Sequence, residues 1–407
     1  MTYCNAQKLI LAGGERGDEN ADGIRLLLTA LGNPERRCTI LPVTGEKGKS
    51  SVVRMLAGIL AHSGVPAVSL ILPALDTPKD NVLLGAESLS IDAFTHYASI
   101  LSEAQKTVRR DAAARGDESA VSFTRAELLF ALSATVAAET GARWLILEIP
   151  NEPFPLLSVT GKSHPLTVVT SCTESVPPTV TSMITAGITE VVSARLPYES
   201  SYTAVSSACA RAGCRLTVPA FSGVTLSESS LRRTAFTYRD VDYTVPLYGD
   251  FALSNALCAL EVASALERLG CAVTAEGRQT GLSRAVLPAR GAILSVSPTV
   301  VVDAASDPFS RAALTELLLR KGSSLGERIT LCLGEADGGD AILSSLSSLE
   351  GSGFAVTETV NVPKGKEHST ALRLLKNAGA GDLILAVGDL PFAYAMHVEF
   401  RKALNAR

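Results

Sequence analysis

Apolar and polar positions fall into blocks whose period switches repeatedly between that of a buried strand and that of one helix face. Cys38 to Val43 is a short apolar run, which predicts a strand. From Ser51 to His62 the residues Val52, Met55, Leu56, Ile59 and Leu60 recur at helical spacing, and Gly64 follows as a stop. Ala67 to Leu72 reads as the next strand and Ile91 to Gln105 as an amphipathic helix begun by Ser90. Thr124-Arg125-Ala126-Glu127 forms a capping box that opens a helix running to Gly141. Trp144 to Ile149 is an apolar strand interrupted only by Glu148, and Leu166 to Thr170 and Glu190 to Ala194 are further strands. Such alternation predicts a mostly parallel sheet with helices on both faces.

The period becomes two between Thr234 and Leu247, around Arg239-Asp240, which predicts a hairpin, and Phe251 to Leu269 then reads as a long helix. Pro288 and Pro298 bracket a change of unit. Beyond them, strands at Thr299 to Asp303, Arg328 to Leu333, Phe354 to Thr357 and Leu383 to Val387 alternate with helical stretches. The expected organisation is one domain over 1–285 and a smaller Rossmann-like α/β domain over 286–407, consistent with 407 residues being too many for one ordinary core.

Composition narrows the functional classes. With 46% hydrophobic and 19% charged residues the chain reads as a well-packed globular protein. A net charge of −4 gives no basic field to attract nucleic acid or an anionic membrane, so neither is an expected partner. No apolar run reaches the roughly 18 residues of a membrane span, and the first residues lack the blocks of a signal peptide, which predicts a cytoplasmic protein. The eight cysteines are scattered without metal-ligand spacing and read as reduced thiols.

The chemistry concentrates in Thr44-Gly45-Glu46-Lys47-Gly48-Lys49-Ser50-Ser51, a Gly- and Lys-bearing turn between a predicted strand and helix. Glycines there let backbone N–H groups and the helix N-terminus approach phosphate oxygens, Lys49 adds a full charge, and Ser50 or Ser51 offers a hydroxyl to a magnesium ion. The spacing departs from the standard P-loop, with two residues rather than four between Gly45 and Gly48. An ordinary Gly-Lys turn is the other reading.

The surrounding motifs resemble the folylpolyglutamate synthase and dihydrofolate synthase family of the Mur ligase superfamily. That family's loop reads Thr-Gly-Thr-Asn-Gly-Lys-Gly-Ser, and its Arg-Ile-x-x-Leu-Leu-x-x-Leu-Gly-Asn-Pro segment is similar to Gly23 through Pro34 here. Leu247 through Ala256 resembles its Leu-x-Gly-x-His-Gln-x-x-Asn-Ala helix start. Leu287-Pro288-Ala289-Arg290-Gly291 resembles Trp-Pro-Gly-Arg, and Val300 through Pro308 resembles Asp-Gly-Ala-His-Asn-Pro. The resemblance implies a P-loop, Mur-ligase-like ATPase domain followed by a Rossmann-like ligase domain, with ATP bound between the two. ATP and Mg2+ are the implied cofactors, and a small-molecule carboxylate and an amino acid are the implied substrates of an amide-forming ligase. It places Gly45, Gly48, Lys49, Ser50, Ser51, Asn255, Arg290 and Asp303 at the nucleotide, and Ser50, Ser51 and Glu148 at the metal, with no catalytic residue assigned. Read from the residues alone, Glu148 either serves a site or ends its strand in solvent, and Arg290 and Asp303 serve the nucleotide or form a structural pair.

Several family site motifs are replaced. Ser171-Cys172-Thr173-Glu174-Ser175 stands where the family has an Asp-His pair whose His ligates a second metal, and Thr185 stands where a lysine is carbamylated. Ile71-Leu72-Pro73-Ala74 takes the place of Thr-Ser-Pro-His, Ile149-Pro150-Asn151-Glu152-Pro153 that of the Gly-rich run after the strand glutamate, and Ser306-Asp307 that of His-Asn. The expectations are therefore a ligase of this type with a changed substrate, or a catalytically silent homologue that binds nucleotide and serves a protein partner.

Overall fold

The computed structural model describes residues 1–14, 22–73, 75, 77–116, 121–150, 164–230, 233–247, 249–305, 308–321, 328–334, 341–342, 344 and 356–406. Ala74, Asn151 to Pro153, Tyr248, Ser306, Asp307 and the expected strand start at 354–355 lie outside the described residues. The chain divides into two compact units. One comprises Met1–Thr225, Phe236–Val245 and Phe251–Ala285, the other Leu226–Ala235, Pro246–Asp250 and Val286–Arg407.

The first unit is built on eight strands: β1 (Thr39–Thr44), β2 (Ala67–Leu70), β3 (Val82–Leu84), β4 (Glu87–Ser88), β5 (Trp144–Glu148), β6 (Leu166–Val169), β7 (Glu190–Ser193) and β8 (Arg215–Thr217). They lie in the order β4-β3-β2-β5-β1-β6-β7-β8. Every pairing is parallel except β2 with β3 and β3 with β4. Strand β1 is thus central, with β5 and β6 on either side. Its residues Leu41 to Thr44 are buried because a parallel strand covered on both faces has no solvent side.

One face of this sheet, carrying Ile40, Val68, Leu70, Leu145 and Leu147, packs in a single apolar cluster with helices Tyr3–Leu11, Asp22–Ala30, Ile91–Arg115 and Arg125–Thr140. Each fully buried Leu or Phe in it contributes about 1.5–3 kcal/mol relative to exposure. Helix Arg125–Thr140 begins at the expected capping box, with Thr124 N–H donating to Glu127 Oε2 (2.8 Å) and Glu127 N–H to Thr124 Oγ1 (3.1 Å). Helix Lys49–His62 contributes nothing to that cluster and covers the other face, buried along its length from Lys49 to Leu60 apart from Arg54.

Three further strands follow, β9 (Val224–Ser229), β10 (Thr234–Tyr238) and β11 (Val241–Val245), the last two joined by the expected turn at Arg239 and Asp240, both at positive φ. The second unit holds β12 (Ala292–Val296), β13 (Thr299–Asp303), β14 (Ile329–Gly334), β15 (Val356–Val362) and β16 (Leu383–Val387) in the order β12-β13-β16-β14-β15. All are parallel neighbours except β12, which runs antiparallel to β13. Among the described residues no helix is long and apolar enough to cross a membrane.

The position of helix Lys49–His62 is set from outside the sheet by a crossing with helix Ala275–Ser283, at Gly58 and Gly281. A Cβ on Gly281 would lie 2.5 Å from the Gly58 carbonyl carbon, and one on Gly58 would lie 2.8 Å from the Gly281 oxygen. Backbone meets backbone there, so no side chain can turn aside. Gly281→Ala is expected to lower stability by about 1–3 kcal/mol, the usual cost of overpacking. A thermal melt that stays at the wild-type midpoint would show that the two helices separate freely.

Candidate functional site

The C-terminal edge of a parallel sheet is where open α/β folds bind ligands, and the Gly-Lys loop leaves β1 at that edge. Two glycines make its path possible. Gly45 has φ +125° and Gly48 φ +89°, conformations that L side chains avoid. A Cβ on Gly45 would overlap Thr170, and one on Gly48 would overlap the Asn255 amide. Gly48 is also the N-cap of helix Lys49–His62 and brings no side chain to the first-turn N–H groups, the donors that favour an anion.

The loop is stitched to the exit of β6. Thr170 donates to the Thr44 carbonyl through both its N–H (2.8 Å) and its Oγ1 (3.1 Å). The N–H groups of Glu46 and Lys47 both donate to the Ser171 carbonyl (2.9 and 3.1 Å), and the Glu46 carboxylate accepts from Thr173 N–H (2.9 Å). Lys49 is only 9% exposed, with its ammonium donating to the Gly45 carbonyl at 2.6 Å and to that of Glu46 at 3.5 Å. A cation is therefore folded over the turn it belongs to.

Glu148 ends β5 beside this loop. At 4% exposure it does not finish its strand in solvent. Its Oε1 accepts from Ser50 Oγ (3.1 Å) and its Oε2 from Leu72 N–H (3.2 Å). Of the two candidate serines, Ser50 carries the bond to Glu148; Ser51 is the next buried residue of the same helical turn. Asn255 faces Gly48 from helix Gly249–Arg268. The far end of that helix is fixed by Arg268, whose guanidinium bonds both oxygens of the buried Glu190 at the start of β7 (2.7 and 2.9 Å).

Arg290 and Asp303 belong to the second unit. Ala304 N–H donates to the Ala289 carbonyl at 2.8 Å, so the two residues flank one backbone bond, Asp303 at the end of β13 and Arg290 in the turn before β12. Ala289, at φ +60°, also donates its own N–H to His397 Nδ1 at 3.3 Å.

At the replaced positions, Thr185 is exposed, and Cys172 is buried with its thiol on the Thr170 carbonyl. Burial pushes that thiol up to about 11, so it is protonated near neutrality. Thr170 and Glu46 are structural members of the loop that motif reading passes over, since their partners lie more than a hundred residues away in sequence.

No protein-family model matches the chain. Over 314 residues it is 24% identical to the probable bifunctional folylpolyglutamate synthase/dihydropteroate synthase of Haloferax volcanii, a match covering 73% of this chain and 36% of that protein. It is 21% identical over 334 residues to the dihydrofolate synthase/folylpolyglutamate synthase of Mycobacterium tuberculosis, covering 74% of this chain and 67% of that one. The folylpolyglutamate synthetase of Lactobacillus casei superposes with a TM-score of 0.77 at 19% identity, over 99% of this chain and 100% of that chain. The chain is thus similar to folylpolyglutamate and dihydrofolate synthases in sequence and in fold. It spans little more than a third of the Haloferax protein, and its structural likeness to the Lactobacillus synthetase is one of fold. Solved structures of the same fold include an FPGS–AMPPCP–folate complex and a Mycobacterium tuberculosis folylpolyglutamate synthase complexed with ADP.

The Ser50–Glu148–Leu72 arrangement carries a stability prediction. Glu148→Ala leaves a buried hydroxyl and a buried N–H without their acceptor and is expected to cost about 1–3 kcal/mol, with Glu148→Gln costing less because one acceptor oxygen remains. The single tryptophan, Trp144, lies at the start of the same strand, so its fluorescence during urea denaturation reads both variants.

Proposed function

We propose that this chain is a folylpolyglutamate synthase-type ligase that uses ATP to join a small-molecule carboxylate to the amino group of an amino acid, releasing ADP and phosphate. The observation that carries the reading is the convergence of the Gly45–Gly48–Lys49 cradle and the Ser50–Glu148 pair at one sheet edge, in a fold of which some solved structures hold ADP or the ATP analogue AMPPCP. In this reading residues 1–285 form the nucleotide domain and 286–407 the C-terminal domain.

The first-turn N–H groups of helix Lys49–His62 and the Lys49 ammonium bind and orient the triphosphate and offset the charge that gathers on the transferred phosphoryl group. A carboxylate oxygen of the substrate attacks the γ-phosphorus and ADP leaves. The amine nitrogen then attacks the activated carbonyl carbon, phosphate departs and the nitrogen loses a proton. Asn255 supports the cradle at Gly48. An oxygen-only pair such as Ser50 and Glu148 suits Mg2+, a hard cation that accepts one carboxylate and fills its shell with water and phosphate oxygens. Ser50 and Glu148 would hold it, with Ser51 adjacent, and it would supply charge neutralisation at the phosphates. The protein acts in the cytoplasm.

Thr185 in place of the family lysine and the absence of a histidine from Ser171-Cys172-Thr173-Glu174-Ser175 favour a second reading, a nucleotide-binding subunit that has lost ligase chemistry and works through a protein partner. One assay separates the two. ADP and phosphate release is measured against a panel of carboxylates, folates included, with glutamate and other amino acids. Ligase activity that falls by about 10²–10³ in Lys49→Ala is the expected result. Release indifferent to that substitution would sink the ligase reading, and AMPPCP binding without turnover on any pair would favour the subunit.

A further inference from the structure

Glu148 is aimed by a residue outside the phosphate loop. Its Oε2 takes the N–H of Leu72, which belongs to the same peptide unit as the Ile71 carbonyl. That carbonyl accepts from the side-chain amide of Asn81 at 2.6 Å. A trans peptide is planar, with its C=O and N–H pointing in opposite directions, so whatever fixes the oxygen also fixes the line of the N–H. Asn81 fixes more than that. The same Nδ2 donates to the Pro73 carbonyl (2.8 Å), Oδ1 accepts from Leu75 N–H (2.8 Å), and its backbone carbonyl accepts from Ile71 N–H (2.8 Å).

Asn81 is fully buried at the end of the short 3-10 turn Pro78–Asn81. Two acceptors face its nitrogen and one donor its oxygen, so only one orientation of the amide satisfies them all. We propose that Asn81 is a positioning residue of the metal side of the site, holding the Ile71–Leu72 peptide so that the Glu148 carboxylate stands opposite Ser50. The relay runs from Asn81 Nδ2 through one peptide to Glu148 Oε2, and from Oε1 to Ser50 at the start of helix Lys49–His62. Hydrogen bonds in such a chain polarise one another, and loss of the first link loosens the last. The proposal rests on the reading of Glu148 as the metal-side carboxylate.

The test is calorimetry of AMPPCP binding to the full chain with and without Mg2+. Asn81→Asp keeps the acceptor for Leu75 and removes both donors, and Asn81→Ser removes the amide with little bulk, so that one folded variant suffices. The expected result is a Mg2+ enhancement of affinity reduced about fivefold to tenfold, with metal-free affinity unchanged. Thr124→Ala, which removes a helix cap elsewhere, should lower the melting temperature and leave the enhancement intact. Wild-type enhancement in both Asn81 variants, when Glu148→Gln abolishes it, overturns the role of Asn81 alone. Enhancement that survives Glu148→Gln, or a wild-type chain that does not bind AMPPCP, overturns the underlying reading and this proposal with it.

Discussion

A carboxylate buried at the end of a strand must be met by hydrogen-bond donors, because an unanswered charge in a dry interior costs several kcal/mol. Glu148 meets that constraint by drawing three elements together: β5 that carries it, the loop after β2 that donates Leu72 N–H, and the first turn of helix Lys49–His62 that donates Ser50. The helix in turn meets helix Ala275–Ser283 backbone to backbone, where Gly58 lies against Gly281. Placement of the Gly-Lys loop therefore follows from the solvation of one acidic group as much as from the loop's own glycines.

Much of this was legible in the sequence, and the limits have physical causes. Periodicity located helix Lys49–His62 from Ser51, whereas its true start is fixed two residues earlier by the left-handed N-cap Gly48, a backbone effect that apolar spacing does not register. The helix begun by Ser90 runs on to Arg115, well past Gln105, with Val108 and Ala112 still on the buried face among exposed arginines. Strands β3 and β4 have three and two residues, too few for a period to show. Glu46 and Asn81 were silent for a different reason: a carboxylate in a turn and an amide in a Thr-Pro-Lys-Asp-Asn stretch look like ordinary solvated residues until the fold brings Thr173 and Ile71 to them.

The turn before β12 shows the same dependence on context. Ala289 sits where the related motif has glycine, and it adopts the left-handed conformation that glycine favours, at a cost of about 1–2 kcal/mol. Both of its backbone groups are held, the N–H by His397 Nδ1 and the carbonyl by Ala304 N–H. For Nδ1 to accept, a neutral His397 must carry its proton on Nε2. Held at both groups, Ala289 keeps Arg290 and Asp303 on either side of one backbone bond.

The distinction between backbone and side-chain groups explains which features a divergent chain retains. A phosphate cradle is made of N–H groups, positive φ values and one lysine, and most side-chain changes around it leave those groups where they are. Glu46 even adds a clamp to the β6 exit loop. A metal site is made of side chains, and each replacement removes a ligand outright unless the newcomer can bind. Here Thr185 is exposed, Cys172 is buried, and the carboxylate of Glu174 in the same stretch is exposed. The buried pair of Ser50 and Glu148 does not depend on those positions, because its geometry is set by Leu72 N–H and, behind that peptide, by the Asn81 amide.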